Sequence, residues 1–243
     1  MRISTDITFL LDRSGSMASK VTDVIGGWKA FVEKQKTEPG EAKVSLVQFD
    51  DQYETPFTAI PIENLSPIIV YSPRGWTALR DAIGRTINNV GERLRSLPAS
   101  ERPTKVVIIV MTDGEENASR EFTQDQIKQM VKHQTDNYQW EFLFLGANID
   151  SFAIGASYGV LGINTTNYSY TKGGMRAMFS TVSNYTSATR AGVALGSTLA
   201  ECQAKNKAEE LTNNLTKDAG LNTSGGTVIS GMSVLTPPAG VGG

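Results

Sequence analysis

The chain has 243 residues, 40% of them hydrophobic and 20% charged, with a formal net charge of −2. Those proportions suit one large soluble α/β domain plus an appendage, and they lack the basic stripe of a nucleic-acid surface. Cys202 is the only cysteine and His133 the only histidine, so disulfides, cysteine zinc clusters, multi-histidine metal sites and Ser-His-Asp hydrolysis are all hard to build.

In chain order, the first apolar run is Ile7–Leu11, followed by a helical pattern over Val21–Lys36 that stops before Glu38, Pro39 and Gly40. Lys43–Phe49 and Tyr53–Ile60, joined through Asp50 and Asp51, read as a hairpin that adds an antiparallel edge strand. Leu79–Leu97 is helical and ends at Pro98; Val106–Met111 is a strand; Thr123–Thr135 is a helix opened by its own N-cap residue. Trp140–Leu145 is a further strand, and Ser151–Tyr158 and Gly174–Ser187 are weaker helical patterns. Runs such as KVVIIVM are apolar at consecutive positions, the mark of parallel strands covered on both faces. Strand–helix alternation of this kind specifies a doubly wound, three-layer α/β/α fold with a mostly parallel sheet.

Composition changes after about Arg190. Residues 1–190 form the expected domain, and residues 191–243 a low-complexity tail rich in Ala, Gly, Ser, Thr and Asn, with one possible helix over 201–217. No run approaches the roughly 20 apolar residues of a membrane span, and Ile7–Leu11 is too short for a signal sequence. The expected compartment is therefore cytoplasmic, and the N-x-S/T sequons are attributed to chance.

Three loops carry the chemistry. The first strand ends in Asp12-Arg13-Ser14-Gly15-Ser16-Met17, with Gly15 placed to turn the backbone between two serines. The loop before the second long helix reads Arg74-Gly75-Trp76-Thr77-Ala78-Leu79. The fourth strand ends in Met111-Thr112-Asp113-Gly114-Glu115-Glu116-Asn117. Open α/β sheets bind ligands outside the carboxyl ends of their strands, so the three loops are expected at one crevice.

D-x-S-x-S after a first strand, a lone Thr before a helix and T-D-G-E after a fourth strand resemble the von Willebrand factor A family and integrin inserted domains, over about residues 3–188. The texture of the chain is closer to the bacterial and phage branch. The resemblance implies a metal-ion-dependent adhesion site formed by Asp12, Ser14, Ser16, Thr77 and Asp113. Ser14 and Ser16 would ligate Mg²⁺ through their hydroxyls, Thr77 would enter or leave the shell, and Asp12 and Asp113 would hold metal-bound waters. Mn²⁺ is an alternative ion, since both accept an oxygen-only shell. The implied role is divalent-cation-dependent protein binding, in which a partner protein supplies a carboxylate to the metal.

Two features qualify the pattern. Relatives commonly have glycine before the threonine, where this chain has Trp76, as readily a packing residue as a partner contact. Glu115 and Glu116 are expected to add negative charge beside the site. An aspartyl-phosphate enzyme would need a second Asp where Ser14 stands, and Gly26-Gly27 and Gly173-Gly174 lack phosphate-loop frames. A non-enzymatic module is therefore expected. The alternatives are an accessory subunit of an AAA+ ATPase or chelatase-like machine, or a phage virion attachment protein, which would be virion-associated. His133 and Cys202 are expected to be a solvated surface residue and a small apolar residue.

Overall fold

The computed structural model describes residues 3–147, 149–169 and 172–192. Six strands form one sheet: β1 (Ser4–Asp12), β2 (Glu41–Phe49), β3 (Tyr53–Pro61), β4 (Lys105–Thr112), β5 (Glu141–Gly146) and β6 (Thr165–Asn167), in the order β3-β2-β1-β4-β5-β6. All neighbours pair in parallel except β2 and β3, the antiparallel hairpin expected at the edge. The helices are α1 (Val21–Thr37), α2 (Leu79–Ser96), α3 (Gln124–Tyr138), α4 (Ser151–Ser157) and α5 (Lys172–Arg190).

The sheet's consecutive apolar positions divide cleanly between its two faces. Phe9, Leu11, Val107, Ile109, Leu143 and Leu145 meet Trp28 and Phe31 of α1 and Met178 and Phe179 of α5. Leu10, Ile108, Val110, Phe142 and Phe144 meet Ile83 and Ile87 of α2 and Ile127 and Val131 of α3. Phe9 packs edge-on against both Phe31 and Trp28, at ring-centroid distances of 4.8 and 5.3 Å. Burial on both faces is why these strands carry no polar alternation. Trp28 and Trp140 are both core residues, and His133 lies exposed on α3.

Element ends follow local chemistry. Thr123 caps α3 in a reciprocal capping box with Gln126, and α3 runs on past Thr135 to a left-handed Gln139 at φ 55°. At the end of α5, Arg190 is 3% exposed and donates to the carbonyls of Gln35, Glu38 and Gly40. A guanidinium thus satisfies one carbonyl in the last turn of α1 and two in the turn that follows, and fastens α5 to this end of α1. The strand β6, three residues of Thr and Asn, carried no apolar pattern by which to expect it. The possible helix at 201–217, Cys202 and the tail from residue 193 onward lie outside the described residues.

The chain leaves β1 toward β2 on one side and returns to β4 on the other, so β1 and β4 flank the topological switch point. Leu11 pairs with Met111, which brings Asp12 and Asp113 to adjacent strand ends. Among the described residues, no helix is long and apolar enough to cross a membrane.

Candidate metal centre

Asp12 is fully buried where β1 ends. Its Oδ1 accepts the Ser14 backbone N–H at 2.7 Å and its Oδ2 accepts the Thr112 hydroxyl at 2.6 Å. The buried Tyr71 hydroxyl donates to the Asp12 carbonyl. Together these bonds fix the turn from which Ser14 and Ser16 project.

The hydroxyls of Ser14 and Ser16 lie 3.0 Å apart, and Ser16 donates to Asp113 Oδ1 at 2.5 Å. Asp113 is 5% exposed, and its Oδ2 is buried without a hydrogen-bond partner among the described residues. Thr77 is buried to 3% exposure against this group. A Cβ built on Gly114 would lie 3.3 Å from Thr77 Oγ1, 3.5 Å from Ser16 Oγ and 4.0 Å from Ser14 Oγ. Three hydroxyls from two separate loops therefore surround the space that Gly114 leaves open.

The electrostatics of this cluster are unbalanced. Burial, with a small contribution from the charge of Asp113, pushes the Asp12 carboxyl up to about 6 against the hydrogen bonds of Thr112 and Ser14. Burial, followed by the charges of Asp12 and Asp113, raises Tyr71 and keeps it a neutral donor. An unpartnered buried carboxylate oxygen, beside a second carboxylate and three hydroxyls, is a hard-oxygen donor set that fits a small divalent cation. Among the described residues no group of three or more His, Cys, Asp or Glu is spaced for a metal. All five residues expected at the crevice are thus brought together, with Ser16 on the solvent side.

A second polar cluster braces the loops. Asp50, fully buried, accepts from Arg13 Nε at 3.1 Å and Arg74 Nε at 3.0 Å. The half-exposed Glu54 accepts from Arg13 Nη1 at 2.7 Å and Arg74 Nη2 at 2.6 Å. Those guanidiniums, Arg13 first, pull the Glu54 carboxyl down to about 2. The β1 loop, the hairpin and the loop before α2 are tied together in this way.

Other sequence expectations need correcting in detail. Gly15 is not in the left-handed region; the glycine that needs its freedom is Gly75, at φ 65°, whose carbonyl accepts the Gly15 N–H at 3.2 Å. Trp76 is 68% exposed, beside a groove of about 250 Å³ lined by Tyr53, Ala78, Arg85 and Ala118, so it is not a packing residue. Glu115 is exposed, but Glu116 accepts from the backbone N–H groups of Arg80, Ala118 and Ser119 and does not add loose charge to the site. Thr112, Gly114 and Arg13 sit inside the recognised motifs, yet their roles were invisible without the strand pairing. Tyr71 lies in a segment with no motif at all.

The sequence model of the von Willebrand factor type A domain matches residues 6–190. Comparison with curated proteins finds no match. Among solved structures, the fold is similar to proximal thread matrix protein 1 from the mussel byssus, in a structure described as having a zinc-occupied MIDAS motif (16% identity, TM-score 0.55, covering 76% of this chain and 46% of that one). It is also similar to the pilus adhesin SpaC from Lactobacillus rhamnosus GG (14%, 0.60, 77% and 30%). A third likeness is to the vWF domain of the type V pili tip protein Mfa5 from Porphyromonas gingivalis (12%, 0.57, 78% and 97%). The chain spans about half the length of the mussel protein and less of SpaC, and likeness at such identities speaks for the fold. With a family model covering most of its length and a mostly parallel six-stranded sheet of the matching topology, the chain belongs to the von Willebrand factor type A domain family.

Proposed function

We propose that this domain is a divalent-cation-dependent protein-binding module, non-enzymatic and cytoplasmic, whose metal site takes an acidic side chain of a partner protein. The observation that carries the reading is the convergence of Ser14, Ser16 and Thr77 hydroxyls on a buried Asp12–Asp113 pair whose Asp113 Oδ2 is unpartnered among the described residues. Those five residues would hold Mg²⁺, with Mn²⁺ an accepted substitute. The bound ion would supply an electrophilic centre with a position open to a carboxylate. Neutral hydroxyls make up much of the donor set, so two protein carboxylates offset a 2+ charge less completely than an all-carboxylate cage would.

The residues themselves do the rest. Thr112 and Ser14 orient the Asp12 carboxylate, and the Arg13–Asp50–Arg74 cluster fixes the surrounding loops. Exposed Trp76 stands beside Thr77, where an aromatic side chain can contact whatever docks. A pilus adhesin and a byssal protein with a metal-occupied site among the similar folds support an adhesive use of such a face.

The test is affinity capture with the full chain in Mg²⁺ and in EDTA. The reading predicts partners retained in Mg²⁺, released by EDTA and not captured by Asp113→Ala. Capture that is equal in EDTA, or undiminished by Asp113→Ala, would overturn it.

A further inference from the structure

The helix that begins beside Thr77 does not cap itself. The residue before α2 is Ala78, whose methyl group cannot accept a hydrogen bond, so the first N–H groups of the helix need acceptors from elsewhere. They come from the loop that carries Asp113. Glu116 Oε2 accepts the Arg80 N–H at 2.9 Å, and Ser119 Oγ accepts the Asp81 N–H at 3.1 Å. Glu116 is itself held, its Oε1 accepting the N–H groups of Ala118 and Ser119 at 3.0 and 2.8 Å and its Oε2 the Ser119 hydroxyl at 2.6 Å. A carboxylate at this place is also favoured by the helix dipole.

Thr77 is gripped from the same loop on both sides of its backbone. Its N–H donates to Asn117 Oδ1 at 2.9 Å, and its carbonyl accepts the N–H groups of Asn117 and Ala118 at 3.0 and 3.1 Å. One turn further on, the Asp81 carboxylate accepts the N–H groups of Arg120, Glu121 and Phe122 at 2.8, 3.0 and 3.0 Å. The Phe122 ring then closes on Gly84, where an added Cβ would lie 2.7 Å from it. The segment after Asp113 is thus laced to the first two turns of α2, although 35 or more residues separate the partners in sequence.

We infer that Glu116 and Asn117 are positioning residues for Thr77. By capping α2 and gripping the Thr77 backbone from the Asp113 loop, they fix the Thr77 hydroxyl relative to Asp113, so that these two residues form one unit of the metal site. Ser14 and Ser16, on the loop after β1, form the other. A shift of Thr77 away from Asp113 would have to uncap the helix. The inference rests on the metal-binding reading, and it assigns Glu116 a role opposite to that of its neighbour Glu115, which projects into solvent.

The test uses Mn²⁺ alone with the full chain, following loss of the free-ion electron paramagnetic resonance signal, with thermal melts in EDTA run alongside. Removing residues that orient ligands costs about 10-fold or more in metal affinity. Glu116→Ala and Asn117→Ala are therefore expected to raise the Mn²⁺ dissociation constant about 10-fold. Glu115→Ala, which deletes the same charge from the same loop, should change it by less than about two-fold, and Asn117→Asp, which keeps the acceptor for Thr77, should restore binding. In a Thr77→Val background, Glu116→Ala should cost less than about two-fold more, because residues acting through one another are not additive. If Glu116→Ala melts below the assay temperature, Asn117→Ala, which keeps the helix cap, carries the test, and an Asn117→Ala dissociation constant within about two-fold of the wild type would then overturn the positioning role. Equal effects of Glu116→Ala and Glu115→Ala, or full additivity on Thr77→Val, would overturn the positioning role. A wild-type chain that takes up no Mn²⁺ would instead overturn the metal reading itself.

Discussion

Two buried acidic clusters lie side by side at the carboxyl end of this sheet, and they are solved differently. Asp50 sits between the guanidiniums of Arg13 and Arg74, with Glu54 closing the group. Its charge is matched by cations the chain supplies. Asp12 and Asp113, one strand end away, are surrounded by hydroxyls and by each other, and Asp113 Oδ2 lacks a partner among the described residues. Burying a carboxylate without a counter-charge is expensive, so the two differ in charge: the first is matched as folded, with Arg13 Nη2 its one buried atom lacking a hydrogen bond among the described residues, and the second has no cation of its own.

That contrast can be broken at either end. The largest effect is expected at the charge-matched cluster: Asp50→Ala leaves the buried Arg13 with only the half-exposed Glu54 as its partner, and should cost about 3 kcal/mol of stability. Chemical denaturation in EDTA should return that loss, since the cluster's own charges are matched without a metal. In EDTA Asp12→Ala should lose less stability than Asp50→Ala, because the uncompensated buried charge goes together with its hydrogen bonds to Ser14 and Thr112, while Mg²⁺ affinity falls by more than about 100-fold in calorimetric titration, beyond what a mere orienting residue costs.

A smaller effect is expected from Gly114→Ala. The added methyl would lie 3.3 Å from Thr77 Oγ1, a contact tight enough to force a small displacement. Mg²⁺ affinity should fall about 10-fold, as for other losses of ligand orientation, with stability in EDTA little changed.

The smallest effect is in pH. Asp12 is raised to about 6 in the folded chain, from an ordinary value near 4, so the metal-free fold binds the extra proton between these values. Its stabilising contribution is present at low pH and is lost as pH rises through about 6. Metal-free protein should therefore lose about 1 kcal/mol between pH 5 and pH 7 from this group. Mg²⁺ should remove that loss, so the stabilisation it confers on melting should be greater at pH 7 than at pH 5. A metal-induced shift that shrinks with rising pH would contradict the assignment.

Much of this was legible in the sequence because it rests on short-range rules. Consecutive apolar residues marked β1, β4 and β5 as buried on both faces, and Asp50-Asp51 between two β-rich runs marked the hairpin. The D-x-S-x-S and T-D-G-E runs identified Asp12, Ser14, Ser16 and Asp113, and Thr77 stood before a periodic helix. What stayed hidden depends on strand order and long-range pairing. Thr112 reaches Asp12 only because β1 and β4 are neighbours, Tyr71 reaches the Asp12 carbonyl from 59 residues away, and Glu116 caps a helix that begins 37 residues earlier, at Leu79. Read locally, Glu116 is one more acid beside the site. Its hydrogen bonds make it part of the scaffold.

The central claim is that the uncompensated cluster takes a divalent cation. Calorimetric titration of Mg²⁺ into the EDTA-stripped and dialysed full chain at pH 7.5 tests it most directly. One saturable site in the wild type, absent from Asp12→Ala and present in Glu115→Ala, is the predicted result. No saturable binding in the wild type, or a site that survives Asp12→Ala unchanged, would contradict it.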